Sequence, residues 1–334
     1  MSTCLEGEQR DRTGALLILG RIHLAKMNRI KHDRPHRCSV FNLITQGRMM
    51  PQPTPQQVIE SQRADWNRVA SGWEKWDQFF DDNLAFLNHR LVSDARVRRG
   101  MRVLDLGSGT GYPALLAAQT VGFAGSVTGL DLAESMLTVA QRKAMRLGLN
   151  NVTFRTGDVT TLPFEASSFD AVTSRFCLMF LPEIPHAAAE VVRVLKSGGY
   201  VAAAVWSAPD KNPYLRIPMD VIKQLIELPP PDPTAPGIFR LAKSGELAGM
   251  LQQVGLQDVV EQELLSEVQF SSAQEYVASL MDIAAPIQNL WATLSAPQQR
   301  DAEQRIIQMV ESHRRGSIVA LPIAVRIVAG RKPV

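Results

Sequence analysis

Three aspartates stand where short apolar runs end. Asp105 follows Val103-Leu104, Asp131 follows Ser126-Val127-Thr128-Gly129-Leu130, and Asp158 follows Val152-Thr153-Phe154-Arg155-Thr156-Gly157. Just after the first lies an alternate-glycine stretch, Gly107-Ser108-Gly109-Thr110-Gly111, and then the helix-like Tyr112-Pro113-Ala114-Leu115-Leu116-Ala117-Ala118. Glycine lets a turn take unusual backbone angles and lets a ligand lie directly on the main chain. A helix N-terminus beyond it offers unpaired N–H groups and partial positive charge. Carboxylates only accept hydrogen bonds, and a ribose diol offers two donors side by side. Three strand-end aspartates therefore suit a ligand with a cation, a diol and an adenine amine. That is a nucleotide-type binding corner at the carboxyl edge of a parallel sheet.

The glycine spacing narrows the choice. The dinucleotide fingerprint G-x-G-x-x-G needs glycine where Tyr112 stands, and here the third glycine comes one residue early. Over residues 60–206 the chain resembles class I S-adenosylmethionine-dependent methyltransferases, in the branch of the ubiquinone/menaquinone C-methyltransferases. The resemblance implies S-adenosyl-L-methionine as cofactor. It maps the methionine and ribose moieties to Asp105, Gly107, Ser108, Gly109 and Gly111, and the ribose hydroxyls to Asp131, with Leu132 and Met136 beside it. The adenine edge maps to Asp158 and Val159. Residues after the fourth strand face cofactor and acceptor, which maps to Arg175 and Phe176, and Trp73 and Trp206 are further candidates for the acceptor side. Arg193-Val194-Leu195-Lys196-Ser197-Gly198-Gly199-Tyr200 resembles the family's lead into the fifth strand. Taken singly, Asp131 also reads as a helix cap and Asp158 as a turn residue.

Methyl transfer is an in-line displacement governed by positioning, so neither a protein nucleophile nor a metal is required. The sequence singles out no general base: His89, His186 and His313 lie away from the motifs. Arg175 suits recognition of an acidic group or bracing of the backbone, and Cys177 reads as a buried packing residue. Asn212-Pro213-Tyr214 follows the fifth strand and lacks a proline of the adenine-amine methyltransferase box, which argues against nucleic-acid methylation. Arsenite chemistry would call for more cysteines near the pocket than Cys177. The acceptor implied is small and apolar or aromatic, a quinol or phenol methylated on carbon or oxygen. The alternatives are a cofactor-binding sensor or assembly protein without turnover, and a nicotinamide oxidoreductase.

These residues need a doubly wound α/β frame: a mostly parallel seven-stranded sheet of the Rossmann-like methyltransferase type. N-terminal helices should precede it and an inserted cap should follow the fifth strand. The organisation expected is a basic segment over residues 1–50, a helical cover over 55–100, the cofactor core over 101–206, and an acceptor-covering insertion with the rest of the sheet over 207–334. Trp66, Trp73, Trp76 and Phe80 recur at helical spacing and predict one amphipathic face from Pro55 onward, followed by a helix over 82–90. Eight prolines fall between Pro209 and Pro236 around a helical piece over 215–228. Ser244 is the expected cap of a helix running to Val254. Pro322 predicts a bulge or sheet edge in the last strand.

Charge is uneven. Residues 1–50 hold nine Lys/Arg against four Asp/Glu, so the remainder is slightly acidic although the whole chain is +3. The body carries no nucleic-acid footprint. The basic segment reads as a disordered tail or as translation from a start upstream of Met49 or Met50, with a targeting peptide as the alternative. No apolar run approaches the ~20 residues of a membrane span. Cys4, Cys38 and Cys177 have no paired or metal-like spacing, which points to a reducing, cytoplasmic compartment.

Overall fold

The structure, a computed structural model, describes residues 53–228, 232 and 234–334. The expectation for residues 1–50 and the Pro229-Pro230-Pro231 run lie outside them. Helix α1 (Pro55–Lys75) starts at a capping box, in which Thr54 Oγ1 accepts from the Gln57 backbone and Gln57 returns the bond, with proline at the first position. Helix α2 (Asp77–Asp94) follows at once. The aromatic stripe is thus split between two helices, because the chain breaks at Trp76. The Trp76 indole N–H donates to Asp282 at 2.8 Å.

The alternating units β1 (Arg102–Leu106), α3 (Ala114–Val121), β2 (Ser126–Asp131), α4 (Glu134–Arg146) and β3 (Val152–Thr156) come next. Then follow β4 (Phe169–Arg175), α5 (Ile184–Val194), β5 (Leu195–Trp206), α6 (Pro213–Leu225), α7 (Glu246–Gln253) and β6 (Gln257–Phe270). Helices α8 (Ala273–Ile283), α9 (Ala285–Trp291) and α10 (Ala296–Glu311) lead to β7 (Arg314–Arg315) and β8 (Ile318–Arg331). The sheet order is β3-β2-β1-β4-β5-β8-β6, with β7 pairing β8. The first five strands are parallel, and β8 and β6 are antiparallel. The sheet has eight strands, not seven. The extra one is β7, a two-residue partner folded back on β8.

Buried runs such as Val103-Leu104, Ala171-Val172 and Ala202-Ala203-Ala204 make the central strands apolar on both faces, as a sheet covered by helices requires. Chain order runs outward from β1 to β3 and then returns to β4. The crevice beyond the carboxyl ends of β1 and β4 is therefore the switch point at which such sheets take ligands.

Several boundaries depart from the sequence reading. Strand β5 begins at Leu195, which pairs with Phe169 before the ladder resumes at Ala171–Tyr200. Ser244 does not cap α7. Gly245 holds the cap position at φ +78°, while Ser244 Oγ and Gly245 N both donate to Glu261. Pro322 lies where β8 has run past the end of β5 and has only β6 alongside, so its missing N–H disturbs no ladder on that side. Asn212 is a staple: its side chain donates to Ser207, Ala208 and Ala324 carbonyls and accepts from Ala324 N, fastening the exit of β5 to β8.

Candidate cofactor and acceptor site

A cleft opens at the switch point, with about 870 Å³ of space counted out to its mouth. Its floor is the glycine loop. Gly107, at φ +65°, passes so close to the β4 loop that a Cβ would stand 2.4 Å from Cys177 Cβ. Gly109, at φ +51°, has no heavy atom within 4 Å of a built Cβ, so its bare backbone faces open space. Its N–H donates to Asp131 Oδ2 at 2.8 Å, and Asp131 Oδ1 accepts from Ala133 N at 2.9 Å. A carboxylate has about four acceptor positions, so Asp131 ties down two loops and keeps capacity for a diol. Burial pushes its pKa up, against backbone N–H groups of Ala133, Gly109 and Leu132.

Beneath the loop, Asp105 is fully buried, registered between Gly129 of β2 and Thr173 of β4. Thr173 Oγ1 donates to Asp105 Oδ1 at 2.7 Å, but Oδ2 has no partner among the described residues. Burial pushes this carboxyl up to about 6, opposed by the Thr173 hydroxyl and the Arg175 charge. Ser108 Oγ is also buried without a partner among the described residues.

The opposite wall is aromatic. Helix α1 contributes Gln62, Trp66 and Trp73, and the turn after β4 contributes Phe176, Cys177, Phe180 and Leu181. Phe176 holds a positive φ of +57°, an uncommon state for a bulky residue and one that clusters at functional sites. Its ring lies flat on Trp206, with centroids 4.1 Å apart and planes 5° apart. Trp66 meets Phe180 edge to face, and Gln62 Nε2 donates to the Phe180 carbonyl at 2.7 Å. From behind, Gly237 N donates to the Met179 carbonyl, and the Arg240 guanidinium donates to the carbonyls of Leu181 and Pro182. Trp73 packs on Phe80, and its indole N–H is buried without a partner among the described residues. Tyr112 completes the lining, with Lys143 Nζ 4.0 Å above its ring and Lys143 in turn paired to Asp77.

Of the expected positions, Gly107, Ser108, Gly109, Asp131, Leu132, Met136, Val159, Arg175, Trp73 and Phe176 line the cleft. Four do not reach it. Asp105 supports the loop from below, and Gly111 sits against Leu115 and Ala140 at the start of α3. Asp158 accepts from Thr160 N in its own turn, and Trp206 backs Phe176. Among the described residues of 207–334 no side chain lines the cleft, and Arg240 of that segment braces the Phe180–Leu181 wall from behind. Sequence reasoning missed Gln62, Thr110, Tyr112, Phe180 and Leu181, and it took Cys177 for packing alone. Their signal was adjacency: Phe180 and Leu181 lie within five residues of Phe176, and Gln62 lies one helical turn before Trp66. Among the described residues no three His, Cys, Asp or Glu side chains gather as a metal site.

A family model described as "methyltransferase domain" matches residues 103–199. The demethylmenaquinone methyltransferase of Listeria monocytogenes serotype 4a is 36% identical over 169 residues, covering 46% of this chain and 71% of that protein. The Staphylococcus aureus MRSA252 enzyme of the same name is 42% identical over 120 residues, covering 36% of this chain. The match spans about half (49%) of that relative's length. Among solved structures, the YcgJ protein of Bacillus subtilis shares the fold, with a TM-score of 0.50, 20% identity, and 75% of this chain and 99% of that one covered. So does phosphoethanolamine N-methyltransferase 2 of Haemonchus contortus, solved with S-adenosyl-L-methionine, with a TM-score of 0.52, 18% identity, and 81% and 60% covered. The chain belongs to the class I S-adenosylmethionine-dependent methyltransferases, in the menaquinone C-methyltransferase branch.

Proposed function

We propose that this protein transfers a methyl group from S-adenosyl-L-methionine to a small, largely apolar aromatic acceptor of quinol or phenol type, on carbon or oxygen. The observation that carries the reading is one cleft with two unlike walls: an open glycine backbone with Asp131 on one side, Trp66, Trp73, Phe176 and Phe180 on the other. The residues fit the cofactor. Gly109 leaves its space free, Asp131 retains acceptor capacity, and Asp105 Oδ2 and Ser108 Oγ are buried with unmet hydrogen-bonding potential beneath the loop. The bound cofactor supplies an electrophilic methyl group carried on a sulfonium. Asp131 would hold the ribose diol, with Leu132, Met136 and Val159 against the adenosine and the Gly107–Gly109 backbone against the remainder. Phe176, locked by its stack on Trp206, and Phe180, gripped by Gln62, would fix the plane of the acceptor and exclude water. Holding the reacting atoms in line removes several kcal/mol of barrier without a protein nucleophile. The names of the Listeria and Staphylococcus relatives agree with a quinol-type acceptor. Asp158 caps its own turn, so we assign the adenine edge to the neighbourhood of Val159. No described helix is long and apolar enough to cross a membrane, and a cytoplasmic site of action belongs to the same proposal.

Calorimetry and an acceptor panel test this. S-adenosylhomocysteine should bind and NAD should not, and quinols or phenols should be methylated by mass spectrometry. Tight NAD binding without S-adenosylhomocysteine binding would overturn the reading. Cofactor binding with no turnover across quinols, phenols, thiols and amines would favour a sensor.

A further inference from the structure

The two buried cations among the described residues are matched to carboxylates, and the partly buried Arg175 at the end of β4 is not. Arg326, only 9% exposed, holds Glu261 and Glu263 across the β6–β8 ladder. Lys143, 4% exposed, holds Asp77. Arg175 forms no ion pair among the described residues. Its Nη1 donates to the neutral Asn88 Oδ1 of α2 at 2.8 Å, its one hydrogen bond there. Asp105, Asp81, Tyr112 and Asp77 surround it at longer range. A guanidinium has five N–H donors in a planar fork, so most of its capacity is unspent. A sequestered charge without a hydrogen-bonded counter-charge is costly. What remains open of the side chain lines the cleft beside Phe176.

A second, independent observation has the same sign. Trp73 lines the same cleft, and its indole N–H, a group that can only donate, is buried without a partner among the described residues. Unmet polarity is therefore divided: a carboxylate oxygen and a hydroxyl lie under the glycine loop, and donors lie on the α1 and β4 walls.

We propose that Arg175 is an anion post, receiving a carboxylate or phenolate-type oxygen of the methyl acceptor, with the Trp73 N–H as an auxiliary donor. This rests on the methyltransferase reading and narrows it. The acceptor is planar and apolar over most of its surface and carries an ionised oxygen at one end. The same guanidinium could instead serve a carboxylate supplied by the cofactor's amino-acid end, so the test must separate the two sources.

The full chain is titrated calorimetrically in two arms, as wild type, Arg175→Gln and Arg175→Lys. The first arm compares S-adenosylhomocysteine with 5′-methylthioadenosine, which lacks the amino-acid carboxylate. The second titrates S-adenosylhomocysteine-saturated protein with 2-naphthoate and with neutral 2-naphthylmethanol. Wild type should prefer the naphthoate. Arg175→Gln should weaken it by about 10- to 100-fold, the range for hydrogen bonds to charged groups, and leave naphthylmethanol and S-adenosylhomocysteine unchanged. Arg175→Lys, which keeps charge but not the fork, should fall between. Trp73→Phe should weaken naphthoate more than naphthylmethanol. Naphthoate binding unaffected by Arg175→Gln, or absent in wild type, overturns the proposal. So does loss of S-adenosylhomocysteine with methylthioadenosine intact, which hands Arg175 to the cofactor. If Arg175→Gln does not fold, wild-type-like naphthoate affinity in a folded Arg175→Lys decides against it. Failure of wild type to bind S-adenosylhomocysteine would instead remove the methyltransferase reading itself.

Discussion

At the end of β1, Asp105 has one oxygen on Thr173 and one on nothing among the described residues. Burial raises it from its ordinary 3.8 to about 6. An acid raised on folding binds its proton more tightly in the folded state. Its favourable contribution is complete below the unfolded value and is lost as pH climbs from about 4 to about 6. At neutral pH the ionised group therefore works against the ligand-free fold by about 3 kcal/mol. Asp105→Asn keeps an oxygen for the Thr173 hydroxyl and removes the charge. Its melting temperature should exceed wild type near pH 7.5, and the advantage should vanish near pH 4. Its affinity for S-adenosylhomocysteine should fall. A melting difference independent of pH would show that the carboxyl is not the source. Asp131 differs, because its oxygens already order Gly109 and Ala133. Asp131→Ala should cost about 10- to 100-fold in S-adenosylhomocysteine affinity by calorimetry, with the protein still folded. A normal affinity with only a lowered melting temperature would make Asp131 a loop tether alone.

Among elements, the wall formed by the 3₁₀ turn Leu178–Phe180 and Leu181 depends on groups far from it in sequence. Arg240 donates to the Leu181 carbonyl and to that of Pro182 just beyond it, Gln62 donates to the Phe180 carbonyl, and the Arg240 guanidinium forms no ion pair among the described residues. Arg240→Met should therefore raise the acceptor's KM several-fold and leave S-adenosylhomocysteine affinity and kcat nearly unchanged, with partial recovery in Arg240→Lys. An equal loss of cofactor affinity would mean that the arginine merely stabilises the fold. Such long-range bracing explains what the sequence hid. The β1 to β3 units were legible because apolar runs end in Asp or Gly at the sheet edge, and that edge carries the cofactor side of the cleft. The break at Trp76 was not legible, since the aromatic period runs straight through it and the group that holds its indole, Asp282, lies on α8. Helix α9 was hidden in Ala284-Ala285-Pro286, which reads as a loop, although proline is at home in a first helical turn. Gly72 stands inside α1. It is the point where α1 crosses α8, and a Cβ there would stand 2.0 Å from the Asp282 carbonyl oxygen.

On the scale of the whole molecule, the sheet is closed by its last strand. Strand β8 lies between β5 and β6, with Arg331 opposite both Tyr200 and Gln257, so the described C-terminal residues belong to the core. The other end of the chain stands in contrast. Every described residue lining the cleft falls between Gln62 and Leu181. Helix α1 needs nothing before it to start, because Thr54 and Gln57 satisfy its first turn reciprocally. The basic character of the chain is concentrated in residues 1–50. Deleting residues 1–48 should therefore leave the melting temperature within a degree or two and S-adenosylhomocysteine affinity within about twofold, a change under ~0.5 kcal/mol. Removing the residues from Pro322 onward should abolish folding, since it strips a partner from both β5 and β6. Calorimetry and thermal unfolding on the two truncations check the contrast. An insoluble N-terminal truncation, or one that loses the cofactor, would show that the basic segment docks on the body and completes its site.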